Sequence, residues 1–343
     1  MGFEGMACAQ NKAGLKSALW TPVDGSDSLE PAQFISSRRS GTFLDLDAYV
    51  EHHSSSTTLQ SKIHSAARST PTSTWFWDHL VAPKSNLIDE PRTWQVFPQG
   101  LIYRSYLAGT KEPRFSAHVF NLQDQGGVFE GILGTRVGLL RFGTLDPFWP
   151  EGWQIDAEGA AHVRIDLPDG VDVQAVDFRA GLPLTFGRGP HRTKFAYYHL
   201  SSHLGDEFML KNPGIQRLNY SRDVLVLGHS VYLLSNQLRL YAEAGWAFYS
   251  DVSEPWEFQF GIGFAPPGPT GVLGAPFWAI NGQLRQEVNF GGAVTVEAGW
   301  AWRGSQKPAM LRTGFFYYNG ESNQFSFSDE HEQQIGFGLW YDP

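Results

Sequence analysis

The residues of this sequence best suited to chemistry lie in the stretch YYHLSSHLGDEF, Tyr197 to Phe208. His199, Ser201 and His203 recur at every second position, and Asp206 and Glu207 follow a glycine. On an extended strand, residues two apart point to one face with Cα atoms about 6.7 Å apart. That spacing lets a histidine take the proton of a serine hydroxyl, which makes His199 and Ser201 a base and a nucleophile. The imidazole then needs an orienting group. Asp206 or Glu207 could supply it. His199 and His203 stand roughly 13 Å apart on such a strand, too far to share a metal ion, so no metal site is expected. Asp206 and Glu207 carry hard oxygens that would suit Ca²⁺ in a hydrolase; otherwise no cofactor is expected and the pair is a solvated turn. His203, Asp206, Glu207 and Arg217 are the candidate binding residues, with Arg217 and Arg222 placed to pair with Asp206 or Glu207. A plainer reading has His199, Ser201 and His203 lining the lumen or mouth of a barrel, hydrogen-bonded to Arg and Glu of neighbouring strands.

Such residues need rigid strands, and the chain is built of them. Its 343 residues are 14% aromatic and only 18% charged, with 37 glycines and a mean hydropathy of −0.27. Apolar side chains placed at every other residue produce that mixture. Ile155 to Asp166, Val173 to Leu184, Arg239 to Phe248, Glu257 to Phe264, Trp278 to Phe290 and Val294 to Trp302 each alternate, with Gln286 the exception on its apolar face. Runs of that length exceed the usual soluble strand of about 5–6 residues and match the roughly 9–11 that cross a membrane. About twelve strands fit between Ile102 and Tyr341, with turns at Asp169-Gly170, Gly187 to Pro190, Gly268-Pro269 and Asn319-Gly320. The second face carries Asp177 and Arg179, Arg239 and Glu243, Arg285 and Glu287, as a barrel lumen does. Trp246, Phe248 and Tyr249, Trp300 and Trp302, and Leu339 to Tyr341 cluster at strand ends, as an interfacial girdle does. The fold expected is all-β, an antiparallel transmembrane barrel of about twelve strands.

Residues 1–85 read differently. Ser and Thr supply about half of Ser54 to Thr74, the composition of a linker or disordered extension, with a short helix at Phe43–Val50 or Leu59–Ala67. The barrel domain is assigned to 86–343. His52-His53 reads as surface. The net charge of −9, with no basic block, argues against nucleic-acid binding. The single cysteine, Cys8, rules out an intrachain disulfide framework. No run of 18 apolar residues marks a spanning helix, and MGFEGMACAQ does not read as a signal peptide. Gly134 to Gly138 lacks the helix that a nucleotide loop needs, and Gly228-His229-Ser230 lacks the second glycine of a nucleophile elbow.

GLIYRSYLAGTKEPRFS (100–116), the alternating strands after it and YYHLSSHLGDEF together resemble a family of bacterial envelope proteins of unknown function. The resemblance spans about Trp94 to the C-terminus. It implies an outer-membrane barrel in a Gram-negative envelope and supplies no activity. His199-x-Ser201 is also similar to the His-x-Ser dyad of outer-membrane phospholipase A and lipid A deacylase. In those enzymes the pair faces lipid on one strand and cleaves acyl esters, and a carboxamide or carboxylate orients the histidine. The resemblance makes Asn219, in Arg217-Leu218-Asn219-Tyr220, a candidate for that role beside Asp206, although the phospholipase's Asn-bearing pattern is not reproduced at its usual spacing. The expected function is therefore a structural, binding or narrow-channel protein of the bacterial outer membrane. Its partners would be membrane lipid and a small-molecule or lipid ligand. The alternatives are an acyl-ester hydrolase, with Ser201 as nucleophile and His199 as base, and a soluble surface protein that binds carbohydrate through Trp and Tyr.

Overall fold

The computed structural model describes residues 91–343 apart from Asp169 and Gln216. The expectations for residues 1–85, including the linker and short helix, lie outside the described residues. In chain order the strands are β1 Thr93–Val96, β2 Phe115–Leu122, β3 Gly126–Gly143, β4 Gly152–Asp166, β5 Asp172–Arg188, β6 His191–Leu204, β7 Tyr220–Leu233, β8 Leu238–Ser250, β9 Trp256–Phe264, β10 Ala275–Arg285, β11 Gly291–Arg303, β12 Met310–Glu321 and β13 His331–Asp342. A short helix, α1 (Asp206–Lys211), follows β6.

Consecutive strands pair antiparallel from β2 to β13, and β13 pairs back onto β2, which closes the ring. β1 shares an edge of β3 with β2: Thr93 to Val96 lie against Gly143 to Leu140, and β2 lies against 126–133. The ring is thus a barrel of twelve strands, and closure removes the sheet edges that would otherwise expose unpaired backbone groups.

Alternation settles the two faces. On β4, Gln154, Asp156, Glu158, His162 and Arg164 are buried in the lumen, while Trp153 and Ile155 are exposed outside. On β5, Asp177 and Thr185 point in and Phe178, Leu182 and Leu184 point out. The outer surface is an apolar belt, with Leu227 on β7, Phe260 on β9, Ile280 on β10 and Phe337 on β13 all exposed. Trp246, Phe248 and Tyr249 ring the β8 end, and Trp300 marks the opposite end. A polar, filled interior inside an apolar, aromatic-rimmed exterior is the arrangement of a membrane-spanning barrel.

Three local expectations are corrected. The run Trp278 to Phe290 is not one strand: β10 stops at Arg285, Gln286–Val288 form a 3-10 turn, and Asn289 and Phe290 adopt positive φ of 57° and 56°. Asn319-Gly320 is not a turn but lies within β12. A side chain at Gly320 would meet the Gly292 carbonyl oxygen at 2.2 Å, so this strand crossing needs glycine. Trp340, expected in the outer girdle, is 1% exposed in the lumen between His118, Phe277 and Arg312.

The lumen is occupied from both ends. Between β1 and β2, residues 98–114 form an insert that runs inside the barrel from Leu101 onward, with Ile102, Tyr103, Tyr106 and Ala108 buried. This insert has no sheet partner, and wall arginines satisfy its carbonyls instead. Arg141 donates to Gln99 O (2.9 Å) and Gly100 O (2.6 Å), and Arg136 to Tyr103 O (2.9 Å). Arg239 donates to Arg104 O and Ser105 O, and Arg312 to Leu107 O. From the other end, the β12–β13 loop enters with Asn323, Gln324, Phe325 and Phe327 buried. Asn323 and Gln324 donate to Glu130, and Arg285 donates to Ser328 O at 2.9 Å. The two inserts converge where Lys111 pairs with Asp177 at 2.6 Å and lies over the Phe325 ring.

Candidate functional site

The candidate residues sit near the barrel end opposite the C-terminus, on β6, β7 and the 205–219 connection. Inside the barrel β6 places Arg192, Lys194, Tyr198 and Ser202. Its odd-numbered residues, including His199, Ser201 and His203, therefore point outward with Phe195 and Tyr197. The lumen-lining alternative for these three fails for that reason: the pleat hands the interior to the even positions.

His199 lies directly across from Asp223 on β7. Its Nδ1 is 2.9 Å from Asp223 Oδ1, and Tyr197 Oη donates to the same oxygen at 2.7 Å. The pairing leaves Nε2 of His199 turned to the other side. Ser201 is the next outward residue, opposite Ser221 on β7 and Phe178 on β5. The structure shows no hydrogen bond between Ser201 and His199. A bulge between Asp223 and Val224 interrupts the β7–β8 register here and brings Tyr249 opposite Asp223. Such bulges aim a side chain out of the regular pleat.

Asn219 does not reach His199: its amide donates to Asp251 Oδ2 at 2.7 Å. The group bonded to His199 is Asp223, 24 residues along the chain on the neighbouring strand, and neither Asn219 nor Asp206. The signal available was alternation in β7, where Ser221, Asp223 and Leu225 share the outward face. Arg217 and His203 come together, Arg217 Nη2 to His203 Nδ1 at 3.1 Å, and His203 packs near Phe178. Asp206 and Glu207 are exposed in the first turn of α1. Neither pairs with Arg222, which points into the lumen toward Glu257 (3.6 Å) and Glu287 (3.7 Å). Among the described residues no three His, Cys, Asp or Glu side chains converge as a metal site would require.

A filled twelve-stranded membrane barrel bearing a histidine–carboxylate pair on its outer face is the class these features define. The chain belongs to the protein family of unknown function DUF1207, whose profile matches residues 47–342. The match starts within the segment assigned above to the extension. No curated protein sequence matches the chain. Among solved structures, the fold is similar to the Salmonella typhi outer membrane phospholipase (OMPLA) dimer with bound calcium, at 13% identity and a TM-score of 0.46, covering 67% of this chain and 91% of that one. It is similar to outer membrane phospholipase A of Escherichia coli at 12% identity and 0.46, covering 67% and 93%. OccD1 (OprD) matches at 7% identity and 0.30, covering 72% and 99%.

Proposed function

We propose that this protein is an acyl-ester hydrolase of the bacterial outer membrane, with Ser201 as nucleophile, His199 as base and Asp223 as the orienting carboxylate. The observation that carries the reading is the 2.9 Å contact between His199 Nδ1 and Asp223 on the lipid-facing surface, one pleat from Ser201. A carboxylate on an apolar exterior is costly unless it is used or well bonded, and here it is spent on an imidazole and a phenol. Asp223 fixes the tautomer with hydrogen on Nδ1 and leaves Nε2 to accept the Ser201 proton. Ser201 Oγ then attacks the ester carbonyl. His199 returns the proton to the leaving alcohol, and water releases the acyl group by the same route in reverse. The aromatic residues Tyr197 and Tyr249 beside the pair mark the depth at which lipid ester groups lie.

The β6 backbone amides face β5 and β7 in the ladder, so charge on the tetrahedral intermediate needs a donor from outside the strand. Ca²⁺ is the cofactor that would suit, although among the described residues no three His, Cys, Asp or Glu side chains gather to hold it. The filled lumen speaks against the narrow-channel reading, and the apolar exterior against a soluble carbohydrate binder.

The test is fatty-acid release from phospholipid and from lipid A by the refolded protein in detergent, with Ca²⁺ and with chelator. Release by the parent and none by Ser201→Ala is expected. Equal release from both, or none from a folded parent in any arm, would remove the hydrolase and leave a binding or structural barrel.

A further inference from the structure

We propose that Arg104, Arg239 and Arg303 form a binding site for a phosphate-class oxyanion in the lumen, at the barrel end nearest the C-terminus. The three line one cavity of about 70 Å³, together with Tyr232, Pro266 and Asp342. About 10–15 Å³ accommodates a water, so this space takes several waters or one small oxyanion. Arg104 comes from the insert, Arg239 from β8 and Arg303 from the end of β11, so three separate elements bring a guanidinium group to the cavity.

Their partners are all neutral. Arg104 donates to Phe148 O. Arg239 donates to Ser230 Oγ and two insert carbonyls. Arg303 donates to Pro266 O, Pro308 O and Met310 Sδ. No ion pair reaches any of them among the described residues, whereas Arg136 and Arg179 in the same lumen share Glu158. Asp342, the one acidic side chain lining the cavity, is committed to Arg312 (2.8 Å) and Arg114 (3.4 Å). Arg239 is 7% exposed, yet its Nη2 has no hydrogen-bond partner. Burial lowers the pKa of Arg104 from its ordinary value, and the Arg239 charge adds to the effect.

Buried charge is stable when paired, and unpaired cations here leave a deficit that a bound anion removes. Four tyrosine rings within 5.4 Å of Arg239 offset part of it. Forked arginine donors fit phosphate oxygens in pairs, and three positive charges match a phosphate of about −1.5 to −2 better than a single carboxylate. Because Arg239 also holds the insert, the anion would lock the insert to the wall.

The experiment follows thermal unfolding of the full chain, refolded in detergent, against sodium phosphate at constant ionic strength set with chloride. A saturable rise in Tm is expected. Arg104→Gln and Arg303→Gln should each weaken the apparent affinity at least tenfold, and Arg188→Gln, an exposed residue, should not. If Arg303→Gln fails to fold, Arg104→Gln decides, since that side chain contributes one hydrogen bond, to Phe148 O, and a contact with the Trp149 ring. Tighter binding of glycerol 3-phosphate than of inorganic phosphate supports a phosphomonoester, and the reverse supports the free ion. No saturable effect of phosphate beyond chloride, unchanged affinity in Arg104→Gln, or acetate binding as tightly as phosphate would overturn the proposal.

Discussion

On the hydrolase reading, Asp223 is the residue on which the proposed chemistry turns. A neutral histidine beside a serine is a weak base with two tautomers, and a carboxylate bonded to Nδ1 selects the useful one. Ser201→Ala should abolish ester hydrolysis, a loss of roughly 10³-fold or more. Asp223→Asn should lower kcat by roughly 10²–10⁴-fold while circular dichroism and heat-shifted gel mobility stay unchanged. Asn219→Ala should leave kcat within about threefold, because its partner is Asp251. Should Asn219→Ala instead match Asp223→Asn, the assignment of the orienting group is mistaken.

At the scale of elements, the insert and the wall form one polar structure. Glu158 holds Arg136 at 2.7 Å and Arg179 at 3.3 Å inside the lumen. Glu158→Gln would leave two buried guanidinium groups short of a counter-charge, and breaking such a pair costs roughly 3–5 kcal/mol. Urea unfolding in detergent should show that loss, and a change under about 1 kcal/mol would mean the lumen is wetter than its packing indicates. Deleting residues 98–113 removes the backbone that Arg136, Arg141, Arg239 and Arg312 cap. Planar-bilayer recordings should then show conductance where the parent shows none. A silent deletion variant that is folded would mean that the β12–β13 loop alone fills the lumen.

For the whole molecule, the belt makes a quantitative demand. Leu227→Arg puts a charge on the lipid-facing surface of β7, at a cost of about 2–4 kcal/mol near the midplane and much less at the rim. The corresponding change at Leu233, at the end of β7, should cost about 1 kcal/mol or less. Equal costs at both positions, measured by refolding into lipid vesicles, would argue that the belt is not set in a bilayer. Unheated protein should also migrate differently from boiled protein in SDS, because a closed ring has no edge from which to unzip.

The sequence by itself determined the strand pattern, which face of most strands is apolar, and the number of strands near twelve. Those properties follow from period-two alternation, which is local. It also placed His199 and Ser201 on a common face, since two residues on one strand need no fold to bring them together. Only the tertiary structure decided which face that was, because Phe195 and Tyr197 look as apolar in sequence as the lumen-facing Tyr198 and Leu200. Pairing of β6 with β7 chose Asp223 over Asn219, and register is a property of two strands at once. The course of GLIYRSYLAGTKEPRFS into the lumen was equally hidden. Its sequence has no alternation to announce it, and the arginines that hold it lie on β3, β8 and β12, far apart in the chain and adjacent only once the barrel closes.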